Sequence, residues 1–445
     1  MKRWIRKIVP KPALFAYHFF LAFFGALLYG FPSRKLIVIG VTGTSGKSST
    51  IFFLKQIFEQ MGKRVCTLST IEFSLPSQTR LNDKKMTMLG RFFIQKFLRQ
   101  ALRERCEVAL IETTSEGVVQ HRHRFINYDI AVLTNLYPEH IESHGGFENY
   151  KNAKKTFFEY AASLPHKKIN GAAVQKGSVV NAAVPQADEF LDIAFDRRAL
   201  FARNDEELFV EFARLADAEL ILGKDVFEDA RGVHFDVNRR HADMPIYGEH
   251  NVSNVLAGMA VCRLLGIKTK TIVPLLAHIA PPPGRIERIP EADPFGFTAI
   301  VDYAFEPVAM KALYDTVASW NPKRIIHVFG GTGGGRDVAR RFTVGKLAGE
   351  AADICVITNE DPYNDDPRQI IWDVAGAVEQ TGKVRGENLF EILDREEAIQ
   401  KAVAMAETGD VILVTGKGSE QGMVVGGAIV PWDDREMVRK ALEKR

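Results

Sequence analysis

Short apolar runs rich in β-branched residues alternate along this chain with longer segments whose apolar positions recur at helical spacing. LIVIGVTG from Leu36, RVCTLST from Arg64, VALIETT from Val108 and IAVLTN from Ile130 read as strands. KSSTIFFLKQIFEQMG from Lys47 reads as the helix between the first two. A second series, FTAIVDYA, RIIHVFGG, DICVITNE and DVILVTG, begins at Phe297 and alternates with helical stretches in the same way. Strands alternating with helices predict mainly parallel sheets covered by helices. The proline cluster APPPGRIE, from Ala280 to Glu287, separates the two series and reads as a hinge between two α/β domains. The stretch from Ala172 to Pro245 has no period that assigns its elements.

The N-terminus carries a different pattern. Lys2, Arg3, Arg6, Lys7 and Lys11 precede an apolar run from Ala13 to Phe31 that is just long enough to be weighed as a membrane span. His18 and the small residues Ala16, Ala22, Gly25, Ala26 and Gly30 make it a poor span, and no small-residue cleavage site follows. A helix packed on the body, or lying on a membrane surface as a peripheral contact, is expected instead. The length of 445 residues with 46% hydrophobic residues supports two or three domains. A net charge of +3 argues against nucleic acid as a partner. Cys66, Cys106, Cys262 and Cys355 stand singly, which indicates neither a zinc site nor a disulfide framework and fits a reducing cytoplasm.

The candidate chemistry starts at IGVTGTSGKSST, Ile39 to Thr50. A strand entering a glycine-rich turn and then a helix start presents backbone N–H groups to an anion. Gly43, Thr44, Ser45, Gly46, Lys47, Ser48 and Ser49 are therefore expected to hold phosphates: the glycines allow close approach, Lys47 reaches the terminal phosphates and the Ser48 hydroxyl ligates Mg²⁺. Gly40 lies one residue further upstream than the first glycine of the common phosphate-loop pattern. Glu112, ending its strand, is placed as a metal carboxylate, or as an ordinary strand-end acid. TNLYPEHIESHGGFENYKNAKKTFF carries Glu139, His140, Glu142 and His144 and, one helix-length on, Tyr150 and Lys154, four apart on one helix face.

Together these segments resemble the Mur ligase family, most closely its MurE-like branch. The resemblance runs from about Leu36 to the C-terminus through GVTGTSGKSS, ETTSEG, the TNLYPEH segment, GEHNVSNVLAG, PPPGRIE, VDYAFEP, VFGGTGGGRDVARRFTVG, ITNEDPYNDDP and VTGKGSEQG, in family order. After the N-terminal helical segment over residues 1–35 that the apolar pattern gives, it implies a central ATP-binding domain over 36–283 built on a phosphate-loop-type, mainly parallel sheet, and a smaller Rossmann-like α/β domain over 284–445. It also implies an ATP-dependent amide-bond former, in which a substrate carboxylate takes the γ-phosphate and an amine then displaces it from the acyl phosphate. Lys47 and Arg285 would neutralise phosphates, while Ser48 and Glu112 would hold one Mg²⁺ and His140 would help hold a second. Lys154 would carry a CO₂-derived carbamate around that second ion. Asn251 and Asn254 would lie by the adenine, Asn251 having helix capping as its alternative, and Asp302 would face the ribose and γ-phosphate from the second domain.

The departures from the family pattern concern the substrates. About thirty-five residues precede the first strand, too few for the domain that holds the uridine nucleotide in MurE-like enzymes. Diaminopimelate-adding members read DNPR where this chain has EDPY, Glu360 to Tyr363, so the arginine is replaced by Tyr363; Asp361 would suit a cationic amine. GKGHE has become GKGSE with Ser419 ahead of Glu420, DYAH has become DYAF with Phe305, and Glu139 replaces an aspartate. The readings are a ligase adding an amino acid to a peptidoglycan-type precursor, the same chemistry on another acid as in folylpolyglutamate or cyanophycin synthesis, or a non-catalytic nucleotide-binding module. Both substrates are small molecules, and neither their identity nor the oligomeric state is encoded in these motifs.

Overall fold

The alternation of strand and helix closes into two sheets, one on each side of the proline cluster. The computed structural model describes residues 11–84, 86–138, 144–203, 217–229, 231–334 and 338–445. The strands before the proline cluster are β1 (Ile37–Thr42), β2 (Val65–Leu68), β3 (Glu72–Leu75), β4 (Gln78–Leu81), β5 (Val108–Glu112) and β6 (Ile130–Leu133). A separate small hairpin of β7 (Lys167–Ile169) and β8 (Ala172–Val174) follows, then β9 (Gly177–Asn181), β10 (Arg197–Arg203), β11 (Glu219–Asp229), β12 (Gly232–Val237) and β13 (Arg240–Met244).

All but the small hairpin join in one sheet of order β13-β12-β11-β10-β9-β6-β1-β5-β2-β3-β4. Seven neighbouring strands, β11 to β2 in that order, pair in parallel, and antiparallel strands finish each edge. Because the central strands are covered on both faces, successive residues enter different cores. Val38, Ala109, Ile111, Ala131 and Leu133 meet the helices Arg91–Arg103 and Phe147–Ala162, whereas Ile39, Val41, Val108, Leu110 and Val132 meet the helices Lys47–Gln60 and His250–Leu264. β1 lies between β5 and β6, and the chain passes from one side of β1 to the other between them. The crevice beyond the carboxyl ends of such strands is where open α/β sheets bind ligands.

The second sheet contains β14 (Glu287–Arg288), β15 (Thr298–Asp302), β16 (Ile325–Thr332), β17 (Ile354–Asp361), β18 (Leu389–Ile392) and β19 (Val411–Thr415), in the order β14-β15-β19-β16-β17-β18. Five of them run parallel, and a hairpin of β20 (Gly422–Val425) and β21 (Ala428–Pro431) stands apart. The connector between the sheets is anchored at both ends. Ala280 exchanges hydrogen bonds with the Gln56 side chain at 2.7 and 3.1 Å. Gly284, at φ 61°, comes so close to the strand-end turn that a Cβ there would stand 2.0 Å from the Ser419 nitrogen. Pro281 to Pro283 are the residues between these anchors.

The N-terminal apolar run is a helix over Lys11–Leu28 packed on the body. Ala22 and Ala26 are fully buried, and Gly25 faces the backbone of Arg91 and Phe92 at 3.6 Å from the place of a Cβ. Phe19 and Phe23 set their rings edge-on to Phe125. Three of the small residues that spoil the run as a span, Ala22, Gly25 and Ala26, are thus the ones that let it dock. Tyr17, Phe20, Phe24, Leu27 and Leu28 stay exposed on its outer side. Among the described residues, no helix is long and apolar enough to cross a membrane.

Candidate active site

The glycine-rich turn joins the end of β1 to the helix Lys47–Gln60, whose N-cap is Gly46 at φ 75°. A Cβ on Gly46 would stand 2.2 Å from the Asn254 Oδ1, and one on Gly43 would stand 1.9 Å from the Thr134 Oγ1. Both glycines therefore answer to close neighbours as well as to backbone conformation. The end of β6 shapes the turn. Asn135 Oδ1 accepts from the backbone of Thr44 and Ser45 at 2.9 and 2.8 Å, and Thr134 Oγ1 donates to the Ser45 carbonyl at 2.7 Å. Thr44 Oγ1 accepts from the Tyr137 nitrogen at 3.2 Å and from the Tyr150 hydroxyl at 3.2 Å. Lys47 folds back over the turn, its Nζ donating to the Thr44 carbonyl at 2.8 Å.

Three other elements converge on this turn. From β5, Glu112 is 2% exposed, and its Oε2 accepts from Ser48 Oγ at 2.7 Å and from the Thr70 nitrogen and hydroxyl at 2.8 and 3.1 Å. From the helix Phe147–Ala162, Lys154 is 1% exposed and donates to the Gly43 carbonyl at 2.8 Å, with its Nζ 4.2 Å from the centre of the Tyr150 ring. Tyr150 and Lys154 do share a helix face, while Lys151 and Lys155 turn to Glu189. His144 meets Ser115 Oγ at 3.1 Å and the Tyr150 ring edge-on, and burial lowers its pKa. His140, with Glu139 and Glu142, lies in the segment 139–143, outside the described residues.

From the helix His250–Leu264, Asn254 donates to Asn251 Oδ1 at 3.0 Å, and Asn251 donates to the Tyr247 carbonyl at 2.8 Å. Asn251 does not cap this helix; Glu249 occupies that position. The amides instead form a relay from Tyr247 to the Gly46 turn.

Arg285 and Asp302 meet at the connector. The Arg285 guanidinium lies 4.2 Å from the centre of the Tyr303 ring, and its buried Nε has no hydrogen-bond partner among the described residues. Asp302 Oδ2 accepts from the Ile286 nitrogen at 2.7 Å and Oδ1 from the Ala304 nitrogen at 2.6 Å, so its carboxylate fastens the connector to β15. Burial raises its pKa, opposed by Arg285.

A second polar cluster occupies the carboxyl ends of β17 and β19. Lys417 has a fully buried side chain and bonds to Asp361 Oδ2 at 2.9 Å and to Glu420 Oε2 at 2.6 Å. Asp361 Oδ1 accepts from the Val424 nitrogen at 2.7 Å. Asp361 is thus already paired with a cation of the chain itself, Lys417. Glu360 lines an adjoining concavity with Thr332, Arg340, Arg341 and Phe305. Its Oε1 accepts from Thr332 Oγ1 at 3.1 Å, and burial, helped by Asp361, raises its pKa. Arg341 bonds to Asp373 at 2.9 Å and to the Thr332 carbonyl at 3.2 Å.

Sequence reasoning missed Thr134 and Asn135, which hold the turn, Thr70, which holds Glu112, and Lys417, which holds Asp361. The pair Thr134–Asn135 carried a usable signal: two polar residues end a strand adjacent to the phosphate-loop strand, at the crevice where ligands bind. Thr70 and Lys417 carried none, because their partners lie 42 and 56 residues away.

The Mur ligase middle domain model matches residues 41–262, and the Mur ligase, glutamate ligase domain model matches residues 284–418. The UDP-N-acetylmuramyl-tripeptide synthetase of Roseiflexus sp. (strain RS-1) is 34% identical over 432 residues, 95% of this chain and 81% of that protein. The UDP-N-acetylmuramoyl-L-alanyl-D-glutamate--2,6-diaminopimelate ligase of Geobacillus kaustophilus (strain HTA426) is 31% identical over 431 residues, 96% of this chain and 82% of that protein. A solved 2,6-diaminopimelate ligase superposes with a TM-score of 0.59 at 25% identity, covering 92% of this chain and 78% of that one. The Mycobacterium tuberculosis folylpolyglutamate synthase shares the fold at a TM-score of 0.63 and 16% identity, over 92% of this chain and 96% of that one. The chain belongs to the Mur ligase family, whose members are ATP-dependent ligases that form amide bonds.

Proposed function

We propose that this chain adds an amino acid to the carboxylate of a peptidoglycan-type precursor, a UDP-MurNAc-peptide-like acid, through an acyl phosphate. The observation that carries the reading is the convergence of Lys47, Ser48, Glu112 and Lys154, from three separate elements, on one glycine-rich turn. Phosphorylating a carboxylate brings two anions together, so positive charge must face the oxygens that react. The Lys47 ammonium exchanges its bond to the Thr44 carbonyl for phosphate oxygens. Arg285, whose Nε stands unpartnered among the described residues, brings a second positive group from the connector. The residues fit Mg²⁺: the Ser48 hydroxyl and the Glu112 carboxylate are hard oxygen donors already 2.7 Å apart. Mg²⁺ there supplies charge neutralisation to the phosphates. His140 is proposed to help hold a second ion, and Lys154 to carry the CO₂-derived carbamate beside it. The amides of Asn251 and Asn254 line the nucleotide side of the turn. Asp302 keeps Arg285 and the connector in register with β15.

The amine is proposed to enter at the concavity of Glu360, Arg340 and Arg341, in the second of the two lobes proposed, 36–283 and 284–445. The enzyme is cytoplasmic in this reading, and the N-terminal segment 1–35 touches the membrane peripherally through Tyr17, Phe20, Phe24, Leu27 and Leu28 on the helix Lys11–Leu28, which form an exposed apolar side. Sedimentation with anionic liposomes tests that contact; partitioning unchanged by deletion of residues 1–31 refutes it.

The test of the reaction is a matrix of candidate acids against amino acids, read by phosphate release and by mass spectrometry of the product. Release that needs both partners and yields the mass of an amide supports the proposal. Hydrolysis of ATP indifferent to either, or an amide formed only on a folate-like acid, overturns it. The carbamate has its own readout, a labelled carbonyl signal from ¹³C-bicarbonate that vanishes in Lys154→Ala.

A further inference from the structure

The edge of the large sheet far from the glycine-rich turn carries two histidines and three aspartates that the ligase chemistry does not use. β12 and β13 pair antiparallel with His234 opposite Asp243 and Asp236 opposite His241. Residues two apart on a strand share a face, so these four side chains form one square on the hairpin. Asp243 Oδ1 stands between the rings, 2.6 Å from His234 Nδ1 and 3.2 Å from His241 Nε2. One ligand atom from each of His234, His241 and Asp243 lies within 4.8 Å of the other two.

We infer that this hairpin is a binding site for a divalent transition metal of the zinc class, with His234, His241 and Asp243 as its ligands.

The donor set, two imidazole nitrogens and a carboxylate oxygen, is one that Zn²⁺ takes, with a fourth position left to solvent. A metal-binding histidine needs its other nitrogen held by an acceptor, which fixes the ring and its tautomer. Both rings have one. His234 Nε2 faces Asp229 Oδ1 at 2.8 Å, and His241 Nδ1 faces Asp236 Oδ1 at 2.9 Å. Asp229 is itself held by Arg231, at 2.9 and 3.1 Å. Phe227 stacks on His234 at 4.7 Å, and the two imidazoles lie parallel, 6° apart in plane. His234 is buried, whereas the His241 and Asp243 side chains are 52% and 60% exposed, so an ion reaches the site from solvent.

The position gives such an ion a structural task. Glu228, beside Asp229 on β11, accepts from the Gly248 nitrogen at 2.8 Å and from the Trp320 indole of the second lobe at 3.0 Å. A metal bracing the hairpin therefore stiffens the strand end that ties the two lobes together.

The experiment uses the full chain, stripped with a chelator and free of nucleotide and Mg²⁺, titrated with Co²⁺ alone and then with Zn²⁺. One equivalent of Co²⁺ is expected to raise visible absorption bands, which Zn²⁺ abolishes, and Zn²⁺ is expected to raise the melting temperature. His241→Ala and Asp243→Asn, both on exposed positions, should each weaken binding about tenfold or more while basal ATP-dependent phosphate release is unchanged. Absence of Co²⁺ bands at micromolar metal, or bands that survive in both variants, overturns the inference. Neither result bears on the ligase reading.

Discussion

Two buried glutamates stand at the carboxyl ends of parallel strands, one in each sheet, and they are treated differently. Glu112 in the first sheet has all three of its hydrogen bonds among the described residues on one oxygen, supplied by Ser48 and Thr70. Glu360 in the second has one hydroxyl donor among the described residues, and burial with Asp361 beside it raises its pKa. A carboxylate fed by donors is fixed in direction, with its other oxygen aimed elsewhere. One packed beside another acid and short of donors takes up a proton more readily. Similar burial at strand ends in the two sheets thus leaves one carboxylate held through a single oxygen and the other with a raised pKa.

The comparison breaks most sharply if the phosphate lobe is not where the charge is needed. Lys47→Ala is expected to lower turnover on the order of 10³-fold with circular dichroism unchanged; phosphate release measures it. Glu112→Gln should cost about 100-fold and raise the Mg²⁺ concentration needed for half activity. Equal losses in Glu112→Gln and Glu360→Gln, with equal dependence on Mg²⁺, would erase the distinction between the two acids.

The second lobe is sharpened by stability measurements. Lys417→Met leaves Asp361 and Glu420 without their shared buried cation, and urea unfolding should show a loss of about 3 kcal/mol. Glu360 predicts the smallest effect, a slope. Its pKa is higher folded than unfolded, so the folded state binds more protons between the two values. Its contribution therefore favours folding at acid pH and fades as pH rises from the ordinary carboxylate range through the raised value. Glu360→Gln should remove that decline, gaining on the wild type as pH increases.

Much of the phosphate lobe was legible because its signals are local. The turn needs Gly43 and Gly46 next to Lys47 and Ser48, and Tyr150 and Lys154 need only helical spacing to share a face. The strands from Ala172 to Met244 were not legible, since β9 and β10 are short, buried runs and β11 to β13 form an edge whose face is read from pairing, not from period. Asp361 was read as an acid that suits a cationic amine, and the fold pairs it with Lys417. Its partner Lys417 arrives through the pairing of distant strands.

The alternation of strand and helix outside residues 172–244, the position of the phosphate turn and the family all follow from the sequence by itself, because each is read from short local motifs. Which donors meet Glu112, which cation meets Asp361, and how two histidines and Asp243 come to face one another were decided only when the sheets closed. A hydrogen bond or ion pair needs two groups within about 3 Å, and strand register, not spacing along the chain, sets that distance.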